Sequence, residues 1–267
     1  MMNLKYEYKY LVPDGVIDEL RAFIRPYVIP DEHSLRTTPR EYAVRSIYCD
    51  TPGLACYHEK VEGAKVRRKY RVRGYNDPDS DSLTFLEIKR KYVNMVGKTR
   101  TPVPWCDLRG MISGLRVGGR WSDCLPADND GDSAKPFLYH YFRCGLVPTV
   151  LVVYNREAFH GRFDPTLRVT FDKRLRSTAC TDLACLYHEQ GLKPALRHRF
   201  VLEVKFFRGV PAWIRTAIER FELQRLAVSK YAICMASHGQ PKGVRPGLRL
   251  GLSLHGAEMD MSERISA

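Results

Sequence analysis

The sequence predicts an α+β fold built on a closed antiparallel β-barrel with a polar interior, and three observations predict it. First, five separate stretches alternate charged and apolar residues with a period of two. They are Lys5/Glu7/Lys9 against Leu4/Tyr6/Tyr8/Tyr10, Arg67/Lys69/Arg71/Arg73 against Val66/Tyr70/Val72, Glu87/Lys89/Lys91 against Leu86/Ile88, Arg168/Thr170/Asp172/Arg174 against Leu167/Val169/Phe171, and Glu203/Lys205 against Leu202/Val204/Phe206. Successive strand side chains point to opposite faces, so each run puts its charges on one face. Second, those charges are mostly Lys and Arg, with single carboxylates between them. One such strand reads as a half-buried strand with a wet side. Several basic faces side by side repel one another unless carboxylates or anions sit among them, and the inside of a barrel is where such faces converge. Third, helical patterns lie between the strands to cover the apolar faces. A basic cavity holding a few carboxylates is a site for a polyphosphorylated ligand and its metal ion.

The elements follow in order. After the first strand, Pro13-Asp14 opens a helical pattern through Ile17, Leu20, Phe23 and Ile24 that stops at Pro26. A strand spans about Tyr42 to Cys49. Thr51 and Pro52 read as N-cap and first position of a short helix through Leu54, Tyr57 and His58, with Gly63 its stop. The basic strand ends at Gly74, and Asn76-Asp77-Pro78-Asp79 is turn chemistry before the strand carrying Glu87 and Lys89. Another strand is expected across Met95 to Val103, helices across Trp105 to Ile112 and Ala134 to Cys144, and an acidic loop across Asp123 to Asp132. Val150 to Phe159 and Leu167 to Arg174 form a hairpin through Gly161-Arg162-Phe163-Asp164-Pro165. A strand at Arg199 to Phe207 precedes a helix beginning at Pro211, whose Trp213, Ile214, Ala217, Ile218 and Phe221 share one side. The last helix spans about Ser229 to Ala236. The expected organisation is one folded domain over 1–237 and a Gly- and Pro-rich flexible tail over 238–267.

Composition narrows the partners. The chain has 267 residues and a formal net charge of +13, so its partners are anionic. No run approaches a membrane span and the N-terminus has no apolar signal core, which points to a cytoplasmic protein. The eight cysteines form no CxxC pair and no paired zinc-ligand spacing, and read as reduced, mostly buried thiols.

Other motifs fail on spacing. Gly97-Lys98-Thr99 resembles the end of a P-loop, but Tyr92 stands where that loop needs its first glycine. Asp128-Asn129-Asp130-Gly131-Asp132 resembles a calcium loop, yet its glycine is two positions early and Tyr139 replaces the closing Glu. No His, Cys or Ser has the context of a nucleophile. The run Lys69-Tyr70-Arg71-Val72-Arg73-Gly74-Tyr75 lacks an RNA-binding signature, so no nucleic acid is expected.

An ordered set of short pieces resembles the VTC-type polyphosphate polymerase domain, of the triphosphate tunnel metalloenzyme (CYTH-like) group. The pieces are Glu7-Tyr8-Lys9-Tyr10, Arg71-Val72-Arg73, Glu87-Ile88-Lys89, Tyr154-Asn155-Arg156, Arg168 twelve residues after Arg156, Leu202-Glu203-Val204-Lys205 and Ser229-Lys230-Tyr231, over roughly residues 3 to 236. The resemblance implies an antiparallel tunnel of about eight strands, open at both ends, with helices outside. It implies an enzyme that transfers the γ-phosphate of ATP to a growing inorganic polyphosphate chain with Mn²⁺ or Mg²⁺. By residue, it implies that Arg71, Arg73, Lys89, Arg156, Arg168 and Lys230 bind the reacting phosphates. Lys9 lines the entrance side, Lys98 is a further phosphate ligand, Tyr154 and Ser229 offer hydroxyl contacts, and Glu203 holds the metal; Lys205, inward by the period of two, is expected to bind substrate beside Glu203.

The chemistry is consistent, since phosphoryl transfer needs the donor held in line and its oxygens neutralised rather than a covalent partner. Ala227 departs from the pattern, because many relatives carry a basic residue three positions before Lys230; Arg225 is the nearby substitute. The expectation is a stand-alone domain of the bacterial type. Two other readings stay open: a metal-dependent hydrolase of triphosphate or short polyphosphate, and a non-catalytic polyphosphate- or nucleotide-binding module.

Overall fold

The structure, a computed structural model, describes residues 5–79, 81–93, 95–116, 131–207 and 209–238. Residues 123–130 of the acidic loop, and the tail from 239 onward, lie outside the described residues.

Among the described residues, ten strands follow in order as β1 (Lys5–Pro13), β2 (Val28–Pro30), β3 (Tyr42–Asp50), β4 (Val66–Tyr75), β5 (Leu83–Tyr92), β6 (Met95–Pro104), β7 (Val147–Gly161), β8 (Arg168–Ala179), β9 (Lys193–Pro194) and β10 (Arg199–Phe206). The helices are α1 (Ile17–Ile24), α2 (Glu32–Leu35), α3 (Ala55–Val61), α4 (Trp105–Arg116), α5 (Gly131–Arg143), α6 (Ala212–Arg220) and α7 (Lys230–Ser237). Eight strands form a closed antiparallel barrel in the order β7-β3-β4-β5-β6-β1-β10-β8, with β8 pairing back to β7. The short β2 and β9 extend β7 and β8. The seam between β1 and β6 is narrow, since only Lys5↔Val96 and Tyr6↔Met95 pair across it. Beyond it the chain before α7 runs along β1, where Arg225 bridges Tyr10 and the Leu226 N–H donates to the Lys9 carbonyl at 2.9 Å.

The period of two sorts the strand side chains as expected. Val72, Leu86 and Ile88 face outward with Ile47 and Tyr70 and pack with Leu108 of α4 and Phe137 and Leu138 of α5. Tyr10, Val169, Leu202 and Val204 face outward under Leu20 of α1 and Ile214 and Ala217 of α6. Each fully buried side chain of this size contributes about 1.5–3 kcal/mol of transfer free energy, which makes register slips costly.

A third apolar cluster lies on the inward side. Val44 and Tyr48 of β3, Val150, Val152 and Tyr154 of β7 and Leu175 of β8 pack with Tyr57 of α3 and Tyr231 and Cys234 of α7. The resemblance implies a bore open at both ends; instead α7, with α3 beside it, occupies part of one end. The reason is in the sequence: β3 and β7 carry Val44, Val150 and Val152 at inward positions, and these need an apolar cover.

Two local expectations fail. The helix expected from Thr51-Pro52 begins at Ala55, because Leu54 takes a left-handed conformation (φ 56°), while Thr51 Oγ1 still accepts from the Ala55 N–H at 3.0 Å. Arg174 does not continue the inward run of β8. The β7–β8 register shifts between Val153 and Asn155, Arg174 takes φ 52° and turns outward to an ion pair with Glu41. The extra residue of a β-bulge reverses the alternation beyond it. Among the described residues no helix is long and apolar enough to cross a membrane, and the seven described cysteines are free.

Candidate functional site

The inward faces of β1, β3, β4, β5, β7 and β10, with Val96 of β6, α3 and the chain leading into α7, line a cavity of about 150 Å³. Twelve Lys and Arg side chains reach it against two carboxylates, Glu7 and Glu203. Two more carboxylates, Glu87 and Asp172, stand behind it with no exposed surface.

These four carboxylates organise the basic side chains. Glu87 accepts from Arg71 Nε at 2.6 Å and from Lys98 Nζ at 3.3 Å, with Arg73 3.8 Å and Arg100 3.5 Å away. Arg71 also donates to the Tyr48 hydroxyl at 3.1 Å, and Arg73 donates to Ser46 Oγ at 3.1 Å and to the Tyr154 hydroxyl at 3.3 Å. Each guanidinium is thus held on two sides while it faces the cavity. Glu7 accepts from Lys89 at 2.8 and 3.1 Å. Lys9 and Lys205 lie between Glu7 and Glu203, at 3.7 and 3.2 Å for Lys9 and 3.6 and 3.5 Å for Lys205. Asp172 takes both Arg156 forks at 2.6 and 2.8 Å, and Lys230 sits 2.5 Å from Asp172 and 2.7 Å from Glu203. The ring of Tyr154 lies under both Arg156 and Lys230, at 5.3 and 4.9 Å. It is a core aromatic and a site residue together.

Protonation follows from these contacts. Burial raises the Glu203 carboxyl, but Lys230, Lys9, Lys205 and Arg156 outweigh it and hold it well below the usual carboxylate range. Burial acts likewise on Glu87, and Arg71, Arg73 and Lys98 hold it down. Burial lowers Lys89 to about 8 in spite of Glu7. The Tyr48 phenol is lowered as well, because Arg71 and Arg73 outweigh its burial. Full ionisation of the carboxylates at neutral pH keeps the Arg and Lys side chains in place.

Ten of the twelve expected site residues line this cavity: Lys9, Arg71, Arg73, Lys89, Tyr154, Arg156, Glu203, Lys205, Ser229 and Lys230. Lys98 is outside the cavity lining, directly opposite Lys89 across the β5–β6 ladder, and donates to Glu87. Arg168 is inward but stands apart at one end of the barrel, where it donates to Asp31 at 2.7 Å and to the Tyr42 hydroxyl at 3.4 Å. Ser229 N-caps α7 by accepting from the Ala232 N–H at 3.2 Å, and it also accepts from Lys69 Nζ at 2.6 Å. Ala227 lies on the cavity wall and Arg225 beside it, the guanidinium resting 3.6 Å over the Tyr8 ring.

The profile of the family described as the VTC domain matches residues 4–238. The chain belongs to the VTC domain family. No curated protein matches its sequence at a significant level. Among solved structures, this VTC domain is similar to a protein of Pyrococcus horikoshii OT3, with a TM-score of 0.43 and 13% identity over 87% of this chain and 99% of that one. It is also similar to a Hippeastrum protein described as a putative adenylyl cyclase with a dominant triphosphatase activity, with a TM-score of 0.48 and 11% identity over 90% and 100% of the two chains. A putative adenylate cyclase of Bacillus halodurans gives a TM-score of 0.47 and 10% identity over 85% and 96%.

Several wall residues of the VTC domain carry no assigned role from the sequence. Tyr48 sits in a strand with no charged alternation, and Lys60 in a helix whose orientation the sequence does not state. Arg67 and Lys69, and Asp172 behind the wall, lie in the alternating runs, which are the signal that finds them. As for a metal, no three His, Cys, Asp or Glu side chains converge into a cage among the described residues. Glu203, with Glu7 nearby, fits a different donor set: Mg²⁺-like ions take one or two carboxylates and complete their shell with water and substrate phosphate oxygens.

Proposed function

We propose that this VTC domain is an ATP-dependent polyphosphate polymerase, a divalent-metal-dependent phosphotransferase that moves the γ-phosphate of ATP onto a growing polyphosphate chain. The observation that carries the reading is the cavity itself, which twelve cationic side chains line, seven of them tied to the carboxylates Glu7, Glu87, Asp172 and Glu203, inside a barrel of this family.

Arg71 and Arg73 would grip phosphate oxygens with the guanidinium edges that their tethers leave free, and Lys89, Arg156, Lys205 and Lys230 would supply point and forked charges around the transferring group. Lys9 would hold the side next to Glu7. Tyr154, already accepting from Arg73, would donate its proton to a phosphate oxygen. Lys98 acts through Glu87 and Arg168 from the end of the barrel, so both would orient or steer rather than touch the reacting atoms. Glu203 would hold Mg²⁺ or Mn²⁺, which when bound neutralises charge on the triphosphate oxygens. Prepositioned charges stabilise a loose phosphoryl transition state without reorganising at the moment of reaction. The carboxylates also moderate the field, so that a polyanion can slide instead of binding irreversibly.

The test is to incubate the purified domain with ATP and Mn²⁺ or Mg²⁺ and separate long polyphosphate from free phosphate on a gel. Long polymer supports the reading, and a Glu203→Gln protein that stays folded should lose it. Free phosphate alone identifies a hydrolase. Triphosphate binding with no turnover identifies a binding module.

A further inference from the structure

The cavity's cations divide into two sets. Lys9, Arg71, Arg73, Lys89, Arg156, Lys205 and Lys230 each lie within 4.0 Å of a carboxylate. Lys60, Arg67, Lys69, Lys91 and Arg225 have no ion-pair partner among the described residues, and they gather where α3, the start of β4, the end of β5 and the chain before α7 meet. What they do contact is neutral. Arg67 donates to the Ala64 carbonyl at 2.7 Å, Lys69 donates to Ser229 Oγ and faces the Tyr231 ring at 5.8 Å, and Arg225 covers Tyr8. Arg67 stands directly opposite Lys91 across the β4–β5 ladder, and Lys69 opposite Lys89. Like charges in that position destabilise a sheet. Lys60 is buried beside them. Five cations gathered with no carboxylate within ion-pair distance among the described residues leave room for an anion that arrives from outside.

We propose that this unpaired cluster is a second anion subsite, which takes the phosphoryl groups of a linear polyphosphate beyond those held among Glu7, Glu87, Asp172 and Glu203, and so makes the domain selective for long chains over triphosphate. The inference rests on the reading of the cavity as a phosphate-chain site. A triphosphate satisfies the carboxylate-laced set and leaves the cluster unfilled, whereas a longer chain reaches both.

Protonation supports the placement. Burial lowers Lys60 to about 8, and Arg67, Lys91 and Lys9 push the same way. Burial also holds Lys69 well below the ordinary lysine value, with Lys9, Lys89, Lys60 and Arg67 adding to it. Glu59 on α3 acts favourably on Arg67, and Glu7 on Lys91. An anion seated among them restores their charge, so a long chain takes up protons on binding.

The experiment compares tripolyphosphate with polyphosphate of several tens of phosphoryl groups by calorimetry near pH 8, in buffers of different ionisation heat, using the whole chain and its Lys60→Met, Lys69→Met and double variants. Methionine keeps the apolar stem of lysine and removes a repulsive charge, so folding is favoured; thermal melting checks it. The unmodified protein should bind the long chain more tightly and with proton uptake. Each variant should lose roughly tenfold or more of the long-chain affinity, retain its triphosphate affinity and take up fewer protons. Variants whose ratio of long-chain to triphosphate affinity is unchanged overturn the subsite while leaving the phosphate-chain reading intact. An unmodified protein that binds neither probe overturns that reading itself.

Discussion

Glu87 shows how one side chain fixes several. Its carboxylate has no exposed surface and serves Arg71, Arg73, Lys98 and Arg100 within 4 Å. Its ionisation is favoured in the folded state, so its contribution to stability is complete above the ordinary carboxylate range and is lost only as pH falls below it. At neutral pH a Glu87→Gln change leaves those cations facing a neutral amide. Removing one member of a buried ion pair costs about 3–5 kcal/mol. Urea unfolding should show that loss, and tripolyphosphate should restore more stability to the variant than to the unmodified protein, because the ligand supplies the missing negative charge. A variant as stable as the unmodified domain in phosphate-free buffer would refute the role. Sequence reading found Glu87 as one member of an alternating run but not its duty. Its four cations come from the two strands that flank β5, with Arg71 and Arg100 directly opposite Glu87 across the two ladders, and the pattern of one strand alone does not state that register.

At the scale of elements, α7 links the core to the site. Its first residue, Lys230, enters the cavity, and its second, Tyr231, donates to Asp50 Oδ2 at 2.6 Å. Asp50 is fully buried and also accepts from the N–H groups of Thr51, Cys56 and Tyr57, so one carboxylate caps α3 and anchors α7. The sequence marked Ser229-Lys230-Tyr231 as a helix start carrying a site lysine. The Asp50 contact spans 181 residues and has no local signature. Arg174 was hidden for another reason, since period-two reasoning assumes an uninterrupted ladder and a bulge breaks it. A Tyr231→Phe change keeps the ring stacked on Tyr48 and removes only the hydroxyl. Hydrogen bonds to charged acceptors are worth about 1.5–3 kcal/mol, which sets the expected drop in urea stability. Triphosphate affinity should fall with it as α7 loosens and Lys230 shifts. Unchanged stability and affinity together would mean that α7 is positioned by packing alone.

At the scale of the molecule, much of the net charge of +13 lies inside the barrel, where twelve Lys and Arg side chains line the cavity, and the fold carries that repulsion until an anion arrives. The alternation of charge made the barrel and most of its lining legible in the sequence. The partial filling of one end by α7 was not, because it depends on how inward valines of β3 and β7 meet a helix far along the chain. A pH dependence follows from the interior charge. Burial lowers Lys60 and Lys89 from the ordinary 10.5 to about 8. A lysine with a lower value in the folded state binds fewer protons there than in the unfolded chain, so stability rises with pH between the two values. The penalty is complete below pH 8 and is relieved above it. The buried thiols act in the opposite sense. Burial raises Cys49, Cys56 and Cys234, so the unfolded chain loses their protons first and stability falls as pH passes about 9. In phosphate-free buffer the melting temperature should therefore climb from pH 7.5 to about 9 and then decline. Tripolyphosphate should flatten the climb in part by restoring the Lys89 charge, and Lys60→Met should flatten it in part without ligand. Thermal melts across this range check it, and a melting temperature that is level or falling between pH 7.5 and 8.5 without phosphate would show that the interior lysines remain fully charged.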